Sequence, residues 1–250
     1  MQPTLDPPLQ LTDLFCGSLF SGIGGMDLGL ERAGFKLKWQ VEIDPFCRRV
    51  LERHWPDVRR WDDVRTWPQP DTERVDLLCG GFPCQDISDA GNKAGIEGER
   101  SGLWREYARI ICELRPPLVL VENVSALLDR GIDRVLGDLA RMGYDAEWAV
   151  LPACSFGAPH SRERLFCIAY ANGGGLRTSG TPEIEAGSTG LRFDGTGETR
   201  SMGDWWSMEP EPRSVVYGVT GVVDRLRGFG NAVVPQVAEW IGRRIIAAVS

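Results

Sequence analysis

The amino-acid sequence predicts an α/β fold built on a doubly wound, mostly parallel sheet, and three observations carry that prediction. From residue 13 onward, short apolar runs of strand length alternate with longer segments of helical periodicity, the pattern that repeated strand–helix units produce. A glycine cluster, Phe20-Ser21-Gly22-Ile23-Gly24-Gly25, lies between the first strand run and the first helical run. Leu118-Val119-Leu120-Val121 is apolar throughout, as a strand covered on both faces must be.

The elements follow in order. Residues 14–19 are the first expected strand. Residues 25–33 form a helix with Met26, Leu28, Leu30 and Ala33 at its apolar positions, and Gly34 stops it. A second strand is expected over 37–43. A helix over 45–54 carries Pro45 in its first turn, where the missing N–H costs nothing. Residues 75–79 are the next strand. The helix over 103–114 is closed by Pro116-Pro117 and followed by the strand 118–121. Residues 132–142 form a helix that ends at Gly143, and 146–151 and 165–170 are further strands. The last helix, 234–249, spaces Val237, Trp240, Ile241, Ile245 and Ala248 along one stripe, which should pack back on the main domain.

Composition sets the frame. The 250 residues suffice for one sizeable core and a small appendage. A hydrophobic fraction of 42% and a charged fraction of 25% are ordinary for a globular chain. No apolar run approaches the ~18–20 residues of a membrane span, and the N-terminus lacks the basic-then-apolar pattern of a signal peptide. The expectation is a cytoplasmic protein without membrane contact. Residues 1–12 are proline-rich and expected to be a loose tail. From Asn172 the texture changes: 172–203 is dense in Gly, Ser, Thr and Glu, the composition of a flexible insert, and 204–224 regains apolar residues. The expected organisation is therefore 13–171 as the main domain, 172–224 as a small insert, and 225–250 as a segment completing the main domain.

Seven cysteines are present, and no two have the Cys-x-x-Cys spacing of a zinc site or redox pair. No metal is expected, and six of the seven read as small buried residues or spectators. Cys84 differs. It follows Pro83 in Gly81-Phe82-Pro83-Cys84-Gln85, directly after the apolar run at 75–78. That places it where a buried strand opens into a loop, the edge at which open α/β sheets carry their chemistry. A proline restrains the chain just before it, and an aimed thiolate is a good nucleophile.

The net charge is −7, which argues against a protein that coats nucleic acid nonspecifically. It leaves room for one local basic face, for which the arginine pairs at 48–49, 59–60 and 243–244, with Arg162, Arg164, Arg225 and Arg227, are available.

The glycine cluster lets the backbone approach a ligand closely, and a helix N-terminus behind it favours negative groups. Glu42 falls 20 residues after Gly22, at the end of the next strand, which suits the grip on a ribose. Taken alone, this pattern fits NAD, FAD or S-adenosylmethionine equally.

Together, the Gly-Phe-Pro-Cys-Gln run, the Phe-x-Gly-x-Gly-Gly loop and Glu122-Asn123-Val124 resemble the DNA (cytosine-5)-methyltransferase family of bacterial and phage type. The resemblance covers residues 18–171 and 224–246. It implies a Rossmann-like S-adenosylmethionine-dependent methyltransferase fold, with S-adenosylmethionine as cofactor. Phe20, Gly22, Gly24 and Gly25 would hold its methionine part, Glu42 its ribose, and Ile43 and Asp63 its adenine. The family's Gly-Asp-Ile reads Asp62-Asp63-Val64 here, so Val64 belongs to the same site and the choice between the two aspartates stays open. The family's Gly-Asn-Ser-Val reads Gly230-Asn231-Ala232-Val233, adding Asn231, Ala232 and Val233. Gly81, Pro83 and Leu103 complete the expected cofactor contacts.

The resemblance also implies the chemistry. Cytosine carbon 5 is too weak a nucleophile to take a methyl group unaided. A thiolate adding to carbon 6, Cys84, makes carbon 5 enamine-like. Glu122 would supply a proton at ring nitrogen 3. Arg164 would meet the base oxygen, and Arg162 would steady the loop or Glu122. Where the family has Gln two residues before this arginine pair, His160 stands here. The target base must be flipped out of the duplex. The glycine-containing loop 85–101 would close over the DNA, and Gln85, Ser88, Asn123, Arg225 and Arg227 would contact it. The recognition region, 172–224, is short for the family, and its acidic residues outnumber its arginines. Trp205 and Trp206 would either wedge into a groove or form a small core.

The expected partner is duplex DNA, the expected state a monomer, and the expected role restriction-modification with a cognate endonuclease as genetic partner, or an orphan or phage self-protecting methylation. Three other readings stand beside this one. An RNA (tRNA) cytosine-5 methyltransferase usually has Pro-Pro-Cys, which Phe82 disfavours. A catalytically silent DNA-binding relative is motivated by the depleted insert. An NAD-dependent oxidoreductase rests on the glycine loop alone.

Overall fold

The computed structural model describes residues 13–83, 103–171 and 232–249. Its described elements run β1 (Phe15–Leu19), α1 (Gly25–Ala33), β2 (Lys36–Val41), α2 (Pro45–His54), β3 (Arg59–Trp61), a 3-10 turn (Val64–Thr66), β4 (Leu77–Gly81), α3 (Leu103–Leu114), β5 (Leu118–Val124), α4 (Leu127–Arg130), α5 (Ile132–Arg141), β6 (Tyr144–Pro152), a second 3-10 turn (Ala153–Phe156), β7 (Glu163–Ala171) and α6 (Pro235–Val249). The helices expected at 25–33, 45–54 and 103–114 have these bounds, because each is punctuated by its own sequence. Gly34 closes α1 in a left-handed conformation. Asp44 caps α2 by accepting from the Phe46 and Cys47 amides.

The sheet has seven strands in the order β3-β2-β1-β4-β5-β7-β6. From β3 to β5 every pairing is parallel. The sheet is mostly parallel, as expected, and its antiparallel part is the far edge, where β7 runs antiparallel to both β5 and β6. A parallel return needs a crossover of about a dozen residues or more, and the connection 153–162 is too short for one. β7 therefore turns back as a hairpin and slots between β5 and β6. Strand β3, only three residues long, was not expected from the sequence.

Successive residues of the central strands feed two cores on opposite faces. Leu118 and Leu120 of β5 and Leu77 and Cys79 of β4 join Met26 and Leu30 of α1 and Val237, Ile241 and Ile245 of α6. Val119, Val121 and Leu78 face the other way, onto Tyr107, Ile110 and Ile111 of α3 and Val135 and Leu139 of α5. This period-2 partition is the doubly wound arrangement. It also explains α6: its apolar stripe covers the sheet beside α1.

The candidate nucleotide and catalytic site

The parallel strands β1, β2 and β4 and the strand β5 all end at one edge of the sheet, and every described candidate residue except those of the C-terminal segment and the start of α3 lies at or just beyond that edge. After β1 the chain turns through Phe20 (φ 54°), Gly22 (φ 57°) and Gly24 (φ 84°), all left-handed. A non-glycine residue held there costs about 1–3 kcal/mol, a strain typical of binding loops. The turn is closed by the Gly24 amide donating to Ser21 O at 2.9 Å and the Ser21 amide to Val41 O at 3.2 Å. The Phe20 ring packs edge-on to Tyr107, with centroids 6.2 Å apart. Gly22 faces open space, so its backbone is available for close approach. At Gly25 a Cβ would run into the Val233 carbonyl, so glycine is required where the C-terminal segment crosses the helix start. Val233 thus lies against the glycine turn, and its neighbour Ala232 is partly buried.

Glu42, just past β2, is 8% exposed. Its Oε2 accepts from the Gly22 amide at 2.7 Å and its Oε1 from the Asp44 amide at 2.8 Å. Burial raises the carboxyl's proton affinity and the two amides lower it. Glu42 therefore ties the glycine turn to the end of β2. Ile43 beside it is 59% exposed, a flat apolar surface offered at the rim. Asp63 caps the 3-10 turn, and its carboxylate is gripped by Arg65, with Nη2 2.7 Å from Oδ2 and Nε 2.9 Å from Oδ1. That guanidinium holds the Asp63 carboxyl below the usual carboxylate range. Val64 is buried in the core beneath it. Asp62 is largely exposed and lies 3.8 Å from Arg48. Leu103 starts α3 and packs on the core.

The second half of the site is the β4–β5 edge. Gly81 pairs with Glu122 across the ladder, and a Cβ on Gly81 would strike the Glu122 carboxylate. The carboxyl group thus sits directly over the strand end that leads through Phe82 and Pro83 to Cys84. Burial pushes the Glu122 carboxyl up to about 7, while Arg164 and then Arg162 pull it down. The Arg164 Nε lies 3.1 Å from Glu122 Oε1, and its Nη1 donates to the Glu163 carbonyl at 2.8 Å. Arg164 reaches the site because the antiparallel β7 sets it opposite Val124. A glutamate poised near neutrality, beside cations and at a strand end, has the properties of a general acid.

Asn123, expected at the DNA, is bonded within the chain. It is 2% exposed, its Nδ2 donates to the Phe82 carbonyl at 3.0 Å, and its Oδ1 accepts from the Val124 amide at 2.9 Å. It is turned inward because β5 continues three residues past the apolar run, to Val124, and Asn123 falls on the inner side of that extension. It braces the chain just ahead of Cys84. Cys84, Gln85, Ser88, Arg225, Arg227 and Asn231 lie outside the described residues, as does the insert 172–224.

Ser18, Asp27, Gln40 and Arg60, a largely buried polar group behind the glycine turn, and the Arg65 grip on Asp63 were not expected from the sequence. The available signal was polar residues at inward positions: Asp27 between Met26 and Leu30, and Gln40 between Trp39 and Val41.

The family model of the C-5 cytosine-specific DNA methylases matches residues 14–190. Among similar proteins is the Type II methyltransferase M2.BsuMI of Bacillus subtilis, 38% identical over 160 residues, covering 61% of this chain and 41% of the relative. Another is the Type II methyltransferase M.HhaI of Haemophilus parahaemolyticus, 35% identical over 175 residues, covering 65% and 51%. Among solved structures, one from E. coli, described as a DNA modification methyltransferase encoded within a prophage, superposes with a TM-score of 0.54 at 27% identity, covering 64% of this chain and 47% of the other. The chain spans about half the length of the curated relatives it matches.

Proposed function

The chain belongs to the C-5 cytosine-specific DNA methylase family, and from that premise we propose that it transfers a methyl group from S-adenosyl-L-methionine to carbon 5 of a cytosine flipped out of duplex DNA. The observation that supports this reading most is the Glu122 carboxyl group. It is buried, raised to about 7, ion-paired to Arg164 at 3.1 Å, and packed on the strand end that leads to Cys84.

The residues at the sheet edge fit S-adenosylmethionine. The open left-handed backbone at Gly22 admits the methionine part. The spare lone pairs of Glu42 can accept from ribose hydroxyls, and exposed Ile43 offers an apolar face to adenine. Of the two aspartates, Asp63 caps the 3-10 turn and is oriented by Arg65, and it suits the adenine amino group. When bound, the cofactor supplies an electrophilic sulfonium methyl.

Each protein group then has a task. The Cys84 thiolate forms a bond to cytosine carbon 6, and Glu122 gives its proton to nitrogen 3, leaving carbon 5 electron-rich. Arg164, and Arg162 beside it, stabilise charge at the base oxygen and at Glu122 once its proton has gone. After methyl transfer the nitrogen-3 proton returns to the Glu122 carboxylate, the carbon-5 proton leaves to a base, and elimination of the thiolate restores the ring. A low-dielectric setting around Glu122 is what keeps its proton available near neutral pH.

Duplex DNA is the proposed partner of a monomer acting in the cytoplasm. A restriction-modification role with a cognate endonuclease as genetic partner accords with the Type II relatives; an orphan or phage self-protecting role uses the same chemistry.

The test is transfer of labelled methyl from S-adenosylmethionine to unmethylated duplex DNA, read by bisulfite sequencing, with Cys84→Ser as control. Label at cytosine carbon 5 within a recurring sequence, lost in the variant, is the expected result. Label on tRNA alone would move the reading to RNA. Cofactor binding without transfer to either would favour a silent relative, and binding of a nicotinamide cofactor instead would overturn the methyltransferase reading.

A further inference from the structure

Four aromatic rings run between the two halves of the site, and the reaction above gives two of them, Trp104 and Tyr107, no task. Phe82, which leaves β4 toward Pro83 and Cys84, packs on Trp104 with centroids 5.5 Å apart. Trp104, in the first turn of α3, packs edge-on to Tyr107 at 5.7 Å. Tyr107 in turn meets Phe20 of the glycine turn. Phe82, Trp104 and Tyr107 are all buried.

Two polar anchors fix this ladder. The Tyr107 hydroxyl donates to the Leu120 carbonyl at 3.1 Å, which ties the ring beside Phe20 to β5. The Trp104 Nε1–H donates to Asp138 Oδ2 on α5 at 2.9 Å. Asp138 is itself held by Arg134 Nε at 2.9 Å and by Arg141 Nη1 at 2.6 Å. A phenyl ring would fill the space against Phe82 without any polar atom. A buried indole N–H carries a desolvation cost that a formed hydrogen bond offsets. What the bond adds over packing is direction, since it fixes the plane of the ring on which Phe82 rests.

Phe82 is also gripped through its carbonyl, which accepts from Asn123 Nδ2 at 3.0 Å. The covalent path onward is stiff. Proline has a fixed φ, and the residue before a proline is confined to extended backbone. An orientation imposed on Phe82 is therefore passed through Pro83 to position 84.

We propose that Trp104, oriented by Asp138, is a positioning residue that aims the Cys84 thiolate through Phe82. The inference rests on the reading of Cys84 as the nucleophile. Trp104 acts through Phe82 and not on the base or the donor. The donor side of the ladder keeps its own anchor at Tyr107, so loss of the indole bond acts on the nucleophile and spares the glycine turn.

The experiment measures formation of the covalent protein–DNA adduct on duplex DNA carrying 5-fluorocytosine at the cytosine mapped by bisulfite sequencing, with S-adenosylmethionine present. The Cys84 sulfur bonds to carbon 6 and the methyl group goes to carbon 5. The fluorine there cannot leave as the proton does, so the adduct persists and its rate of formation reads the attack. Donor Kd is measured by calorimetry on the same proteins: wild type, Trp104→Phe, Asp138→Ala and Asp138→Asn, each well below its melting temperature. Trp104→Phe and Asp138→Ala should form adduct roughly 10- to 100-fold more slowly, the scale of a misaligned reacting group, with donor Kd unchanged. Asp138→Asn keeps an oxygen that can accept from the indole and should stay close to wild type. Variants that melt earlier yet form adduct at the wild-type rate would overturn the proposal and leave the ladder as core packing. A donor Kd weakened in step with the adduct rate would also overturn it, since the whole edge has then loosened. Equal losses in Asp138→Ala and Asp138→Asn would do the same by assigning the effect to the ion pairs with Arg134 and Arg141. Should Trp104→Phe fail to fold, the two Asp138 variants decide. A wild-type protein that binds the donor but forms no adduct would instead refute the reading of Cys84, and this proposal with it.

Discussion

The Nε of Arg164 lies 3.1 Å from Oε1 of Glu122, although the two residues belong to strands running in opposite directions. The pair exists because β7 turns back between β5 and β6. Were β7 parallel, Arg164 at its start would lie at the far edge of the sheet from Glu122. The guanidinium stabilises the ionised carboxylate, yet burial dominates and leaves the carboxyl near neutrality at about 7.

Activity should therefore depend on pH through Glu122. The reaction needs its proton, so kcat should fall as pH rises through about 7 if the proton at nitrogen 3 comes from this group. Glu122→Gln keeps a hydrogen-bond donor but has no proton to transfer. Its kcat should drop by on the order of 10²-fold or more, the usual scale of general acid–base catalysis. The check is a pH–rate profile for both proteins, and a wild-type profile without a limb near 7 would remove Glu122 from the acid role.

The same group should mark stability. A carboxyl whose folded value lies above its unfolded one, 4.5 moving to about 7, binds more protons in the folded state across that interval. Its contribution to stability is then fully present below pH 4.5 and is lost as pH rises through 7. Melting temperatures of wild type and Glu122→Gln between pH 5 and 8 should converge at the acid end and diverge toward pH 8, with the variant the more stable there. Parallel curves would contradict the burial that raises the group.

The fold was legible wherever local punctuation and periodicity agree. Gly34, Asp44-Pro45 and Pro116-Pro117 bound helices α1, α2 and α3, and the apolar run at 118–121 marked β5 as central. Strand direction was not legible at β7, because its hairpin return depends on the length of a connection, not on the strand's own residues. The site was legible where residue type is demanding. Glycines in a turn and a glutamate after an apolar run are each costly to place without reason. The inward bonds of Asn123 were not legible, because β5 runs on to Val124, and a polar residue after an apolar run cannot by itself reveal whether it faces solvent or braces its neighbour. The Asp27–Gln40–Arg60 chain was illegible for a similar cause: its partners lie 13 and 20 residues apart and meet only when the parallel sheet aligns them.

Asn123→Ala should separate bracing from DNA contact. Losing the bond to Phe82 O at 3.0 Å leaves a buried carbonyl without its partner, at a cost of about 1–3 kcal/mol. It also frees the segment that aims Cys84. Lower melting temperature and reduced kcat with an unchanged Kd for duplex DNA are expected. A weakened DNA Kd with normal kcat at saturating DNA would restore the contact role.

Gly81→Ala tests the packing of Glu122 over β4. The new methyl group would collide with the Glu122 carboxylate. That carboxylate can move only by giving up its geometry with Arg164, and overpacking of this kind costs about 1–3 kcal/mol. Methylation should fall more steeply than S-adenosylmethionine binding, since the displaced group acts on the base. A variant with full activity would show that the Glu122 position is not tied to this strand end.

Glu42→Ala tests the cofactor grip. The carboxylate accepts from the Gly22 amide at 2.7 Å and the Asp44 amide at 2.8 Å, so its removal deprives the site of the proposed ribose acceptor and unties the glycine turn from β2. Hydrogen bonds to a charged group contribute about 1.5–3 kcal/mol each, which corresponds to a Kd for S-adenosylmethionine weakened by roughly 10- to 150-fold. Glu42→Gln retains one oxygen, so it can satisfy one amide at most and should fall between the two. Titration calorimetry on the three proteins gives the order. An unchanged Kd in Glu42→Ala would transfer the ribose contact to Asp44, whose carboxylate already accepts from Phe46 and Cys47 at the α2 cap and would then have to serve both purposes.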